Sequence, residues 1–219
     1  MGAAFLMATS AIGPGFITQT TVFTERLTTS FAFVILCSIV IDIVVQLNIW
    51  RVVSISSMRT QDLANQTVPG SGHLLTVLIV LGGLAFNTGN LAGAGLGMQV
   101  MTGMDLQYGV LASAALSLFI FWYREAGRAI DVFARVLGVV MIFLTGYVAF
   151  ASRPPVVMAM RHSIFPEVID TSAIIVLVGG TVGGYISFAG VHRLLDAGIS
   201  GPSNLRAVSA ASVKAILLA

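Results

Sequence analysis

A Gly-Pro-Gly triplet in the middle of an uncharged apolar segment constrains this chain more than any other feature. Met1 to Thr24 carries no Asp, Glu, Lys or Arg, and Ala11-Ile-Gly-Pro-Gly-Phe-Ile-Thr18 sits within it. Pro14 has no N–H to bond back to residue 10, and its ring crowds that carbonyl. Gly13 and Gly15 do little to hold a helix on either side. In hydrocarbon, freed backbone groups must find partners inside the protein or in a wet cavity. The triplet therefore predicts a helix broken at mid-membrane beside a cavity. The competing reading is that these glycines serve only close helix packing. A second interruption is expected at Gly179-Gly-Thr-Val-Gly183-Gly184-Tyr-Ile-Ser187. Two broken spans in corresponding places point to a binding site built from half-helix ends.

Composition places the chain in the bilayer. Of its 219 residues 57% are hydrophobic and 9% charged, against roughly 25% charged in globular chains. A net charge of +2, dispersed along the chain, gives no footing for nucleic acid. The single cysteine, Cys37, excludes a disulfide framework within one chain. The N-terminus lacks the basic region of a secretory signal, so the first apolar stretch reads as a retained span.

Spans need about 20 apolar residues. They are expected at about 3–24, 29–50, 74–103, 106–123, 136–152 and 171–191, with the start of a seventh at about 208–219. Ser54 to Gly72 reads as a polar linker, and Arg153-Pro-Pro155 to Asp170 as a loop. With the N-terminus cytoplasmic, inside loops hold Arg51, Arg59, Arg124, Arg128, Arg135, Arg193, Arg206 and Lys214. Outside loops then hold Arg26, Arg153 and Arg161. This follows the positive-inside rule and predicts a multi-pass cell-membrane protein with its N-terminus in the cytoplasm. A last apolar run with no room to cross reads as part of a longer product.

Candidate site residues follow from the breaks and from polar groups at membrane depth. Gly13, Pro14, Gly15 and Phe16 form the first break. Gly183, Gly184 and Tyr185 form the second. Thr18, with Thr9, Ser10, Gln19, Thr20 and Thr21, flanks the first break, and Ser187 follows the second. Helical Ser and Thr also bond their own backbone as a structural habit. Asp42 is the one carboxylate well inside an expected span, with Gln46 one turn on. Ionisable groups there face a cavity or a partner. Asp42 reads either as a proton or cation relay or as the partner of an arginine elsewhere. Asn87 and Asn90 read as glue between helices or as lining of a solute path. Ala85, Gly89, Gly93, Gly97 and Met101 recur every four residues, as in a small-residue stripe for helix contact. No catalytic residue and no cofactor is expected, since the hydrolase, metalloprotease and redox signatures are missing.

Ala11-Ile-Gly-Pro-Gly-Phe-Ile-Thr, Asn87-Thr-Gly-Asn-Leu-Ala-Gly-Ala-Gly and Val178-Gly-Gly-Thr-Val-Gly-Gly together resemble the natural-resistance-associated macrophage protein (NRAMP) family of divalent metal transporters, in a divergent bacterial branch. The resemblance implies an all-α integral membrane bundle of leucine-transporter type, with inverted repeats and broken helices one and six. This chain would hold the first repeat, span six and the start of span seven, about half of a full member. It also implies secondary active transport of a manganese- or iron-type divalent cation coupled to protons, in a lipid bilayer. The family's first-span motif is Asp-Pro-Gly-Asn, where this chain has Gly13 and Phe16 at the ligand places. Its sixth-span motif is Met-Pro-His, where this chain has approximately Gly183-Gly184-Tyr185. The acidic pair of span three is replaced by Asn90 and Gly93. Divalent cations want charged oxygen, imidazole or sulfur ligands. The metal ligands are therefore unassigned, and a small organic solute on the same scaffold, or a scaffold or receptor without a transport cycle, stands beside the metal reading.

Overall fold

The structure is a computed structural model that describes residues 13–122, 127–180 and 185–218. Among them every regular element is helical. In chain order they are α1 (Pro14–Leu27), a 3₁₀ turn (Thr28–Ser30), α2 (Phe31–Ser56), α3 (Thr60–Thr67), α4 (Ser71–Thr102) and α5 (Leu106–Trp122). They continue as α6 (Gly127–Ala151), α7 (Val156–His162), α8 (Thr171–Gly180), α9 (Tyr185–Asp196), a 3₁₀ turn (Pro202–Asn204) and α10 (Leu205–Leu218).

Helix α2 is the mast of the fold. Its first half closes one apolar cluster, in which Phe31 and Val34 meet Phe23 and Leu27 of α1 and Ala173 and Leu177 of α8. Its second half closes another, in which Trp50 and Val53 meet Ile186, Val191 and Leu194 of α9 and Val208, Ala215 and Ile216 of α10. Helices α8 and α9 thus run past α2 in series, one against each half. Between helices in a bilayer, such clusters hold by close packing rather than by removal from water.

The chain turns sharply between α1 and α2. Thr28 has φ 50° and ψ −127°, outside both helical and strand regions. Such a backbone is costly for a β-branched residue. It is held by its neighbours: the Phe23 and Phe31 rings lie 5.8 Å apart across the corner. The Thr29 hydroxyl sits 2.7 Å from His162 Nδ1, and the Glu167 N–H donates to Ser30 Oγ at 3.2 Å. Arg26 pairs with Asp170 at 2.8 Å. The other Asp170 oxygen, Oδ1, accepts the Ala173 N–H and so caps the start of α8.

Two of the expected loops contain helices. The polar linker holds α3, and the loop after Pro155 holds α7. Their short, weakly periodic sequences gave no apolar run to read, and each folds because it docks on a longer helix. Helix α7 leaves α6 at a bend of 104°, where Arg153 takes φ 44° and Pro154-Pro155 cannot continue the helical ladder. The second apolar stretch also runs on as helix to Ser56.

Helices α4 and α5 pack through glycine, but not through the stripe read from the sequence. A methyl on Gly109 would come within 2.8 Å of the Gly95 carbonyl oxygen, and one on Gly95 within 2.5 Å of Val110 Cγ2. Gly89 and Gly97 have open space, and Met101 is 86% exposed. The contact face is one that α5 selects by presenting its own glycine.

By length and composition, residues 19–56 and 71–102 are long and apolar enough to cross a membrane, and Val136–Ala151 passes the same test when joined to Val156–His162. Leu74, Leu78, Leu81 and Leu84 of α4 and Phe143, Tyr147 and Phe150 of α6 are all more than half exposed. Large apolar surfaces of this kind are at home in lipid or under further protein.

Candidate functional site

Helix α1 begins where the Gly-Pro-Gly triplet required a helix to be interrupted. Gly13 is extended, with φ −99° and ψ 172°, and Pro14 takes the first helical position. Proline suits that position because its missing N–H would have had no intrahelical partner. Gly13 is buried. Its Cα faces the side chain of Asn90 on α4 so closely that any Cβ would collide with Asn90 Oδ1. Gly15, Phe16 and Thr18 follow in the first turns of α1; their side chains lie outside the described residues.

Gln19, further along α1, reaches Gly180 at the end of α8. A methyl on Gly180, the last residue of α8, would lie 2.5 Å from Gln19 Oε1 and 2.8 Å from its Nε2. That Oε1 is buried and accepts no hydrogen bond. Residues 181–184 lie outside the described residues, and α9 begins at Tyr185. Gly183 and Gly184 fall outside the described residues, as does the Tyr185 side chain. The start of α1 therefore touches α4 through Asn90 and the end of α8 through Gln19.

On α9 the expected polar residue Ser187 meets Gln46. The Ser187 hydroxyl, in the first turn of α9, donates to Gln46 Oε1 at 2.8 Å. Gln46 Nε2 donates to the Ser212 carbonyl of α10 at 3.1 Å. The Trp50 indole N–H donates to the Ser187 carbonyl at 3.0 Å. Gln46, Trp50, Ser187 and Ser212 show no exposed surface, and Asp42 is 3% exposed. One amide side chain thus ties three helices in an apolar surround, where an unmet polar group is expensive.

Asn87 stands apart from this arrangement. It is exposed on α4, and its Nδ2 donates to the Gly83 carbonyl of its own helix at 2.8 Å. Of the two asparagines, Asn90 alone faces the break.

Sequence reasoning singled out Asp42 and Gln46 but not the ridge they belong to. Val34, Ser38, Asp42, Gln46, Trp50 and Ser54 are buried at every fourth position of α2. That repeat was readable in an otherwise apolar segment. Ser212 carried no signal, because it contributes its backbone carbonyl, which any residue could offer.

At the far end of α9, His192 Nε2 lies 3.2 Å from the Thr60 N–H and 3.1 Å from its hydroxyl. Arg59 pairs with Asp196 at 2.9 Å beside it. Burial, and next the Arg59 cation, hold the His192 pKa below its ordinary value, with Asp196 and Asp62 opposing.

As donors for a cation, these residues offer carboxamides, hydroxyls, carbonyls and one carboxylate. Among the described residues no three His, Cys, Asp or Glu side chains gather as a metal-binding group.

These are the features of a membrane protein whose described regular elements are all helical, with polar groups buried between them. The comparison with known families agrees: residues 4–192 match the family described as natural resistance-associated macrophage protein-like, and the chain belongs to it. It is 55% identical over 218 residues to the uncharacterized membrane protein YcsG of Bacillus subtilis (strain 168), covering all of this chain and 54% of that protein. It is 56% identical over 219 residues to an uncharacterized membrane protein of Haemophilus influenzae, covering 55% of it. The chain therefore spans about half the length of these relatives. No solved structure matches it.

Proposed function

We propose that this chain forms part of a secondary active transporter whose solute path passes between the two helix interruptions. The observation that carries the reading is the start of α1: Gly13 lies against Asn90, and Gln19 against Gly180. The start of α1 thus lies against both α4 and the end of α8, which suits a site built from broken helices. Membership of the family supports transport of a metal ion rather than catalysis. On this reading Gly13, Pro14, Gly15, Phe16, Gly183, Gly184 and Tyr185 surround the solute. Asp42 is the coupling group that takes up and releases a proton, with Gln46 and Ser187 relaying the change to α9. The span boundaries and the cytoplasmic N-terminus read from the sequence belong to the same proposal. The test is uptake of labelled manganese and iron by cells expressing the protein. Uptake above vector controls that falls on Gly180→Ala supports a metal cargo; none, together with no metal binding, removes it.

The amide character of Asn90 and Gln19 favours a second cargo. Carboxamides discriminate by hydrogen bonding rather than by charge. A small organic solute, its carboxylate at the positive end of a half-helix, suits them better than a bare divalent ion. Thermal stabilisation across a panel of metals and metabolites separates the two: a metabolite shift supports this cargo, and a shift by metals alone removes it.

A further inference from the structure

Helix α3 has no side-chain cap of its own. Arg59 holds the N-cap position in extended backbone and makes no capping bond. The first N–H groups of a helix need acceptors from elsewhere. Here the Thr60 N–H is met by His192 Nε2 at 3.2 Å, from the last turn of α9, and the Thr60 hydroxyl lies 3.1 Å from the same nitrogen. A ring nitrogen accepts only when it carries no proton. Protonated, it would turn N–H against N–H and place a cation at the positive end of the α3 dipole. The charged groups that bear on the ring are Arg59 and Asp62 from α3 and Asp196 from α9. Arg59 and Asp196 also bridge the same two helices at 2.9 Å, but both are exposed, and such pairs contribute little.

We propose that His192 is a pH-sensitive latch: neutral, it holds α3 against the end of α9, and protonated, it lets α3 go. Helix α9 carries the Ser187 bond to Gln46 near its start, so the latch sets how firmly the other end of that helix is held. The sign follows from the site. Burial and Arg59 depress the pKa of the docked ring. The neutral contact is therefore fully present above the ordinary histidine pKa and is lost as pH falls through it and then through the docked value. The proposal does not depend on what the protein carries.

Hydrogen exchange of the chain in lipid nanodiscs tests it, with rates corrected for intrinsic pH dependence. Protection of the amides at 60–63, relative to the interior of α4, is expected to be lost progressively as pH falls from about 7.5 to about 5. His192→Gln keeps an acceptor that does not titrate, so its protection is expected to stay flat. Unchanged wild-type protection, or an equal loss in His192→Gln, overturns the latch. Should His192→Gln not fold, Arg59→Gln decides. Removing the cation that opposes protonation is expected to move the loss to higher pH; no movement, or movement to lower pH, overturns it.

Discussion

The Ser187 hydroxyl donates to Gln46 Oε1 at 2.8 Å across 141 residues of chain, and neither residue shows any exposed surface. Gln46→Leu removes that acceptor and the donor to the Ser212 carbonyl. It is expected to destabilise the fold by about 1–3 kcal/mol, because buried polar groups lose their partners. Ser187→Ala removes one neutral bond and is expected to cost about 0.5–1.5 kcal/mol. Trp50 bonds the Ser187 carbonyl, so in a Trp122→Phe background its emission should shift to the red in Gln46→Leu. Denaturant titration in detergent, followed at that emission, measures both effects.

The α4–α5 contact gives a prediction that separates two glycine patterns. Gly109→Ala meets backbone, the Gly95 carbonyl, which cannot rotate away. Overpacking of this kind is expected to cost about 1–3 kcal/mol. Gly97→Ala points into open space and should stay within about 0.5 kcal/mol of the parent. Melting temperatures of the two variants check this; equal losses would return the contact to the Gly89–Gly97 stripe.

Asp170 divides its work between two oxygens. Oδ1 caps α8 through the Ala173 N–H at 3.0 Å, and Oδ2 meets Arg26 at 2.8 Å. The Arg26 side chain is 62% exposed, so the ion pair should contribute little. Asp170→Asn keeps a cap and is expected to be nearly silent. Asp170→Ala should cost about 1 kcal/mol, with little dependence on salt. Thermal unfolding at low and high salt distinguishes cap from ion pair.

At the interruptions, Gly180→Ala should displace the Gln19 side chain while leaving the core clusters around α2 intact. If the solute path lies there, uptake falls at least about tenfold, as a misplaced positioning group typically costs, while the melting temperature barely moves. Gln19→Leu should reproduce the loss. An uptake assay paired with a thermal melt checks both.

What the sequence made legible was local chemistry. Pro14 cannot complete a helical bond wherever it sits, so the start of α1 could be read from one triplet. Asp42 and Gln46 stood out because polar side chains at membrane depth are rarely without purpose. What escaped reading depended on partners distant in the chain. Gln19 was one of several polar residues near the first break, and nothing in the spacing marked it as the one that reaches Gly180. The face of α4 that meets α5 was not read, because a run rich in glycine offers several possible seams and Gly109 picks among them. Helices α3 and α7 are too short to stand alone and form only where α9 and the Thr28 corner receive them.

The buried row on α2 recurs every fourth residue from Val34 to Trp50, whereas an α-helix turns once in about 3.6 residues. Each step therefore advances about 40° around the axis, and the row precesses nearly half a revolution over its course. A straight rod inscribed with such a spiral offers its two halves to different compass bearings. Helices α8 and α9 can then each lie flush along α2 while seated on different bearings of it.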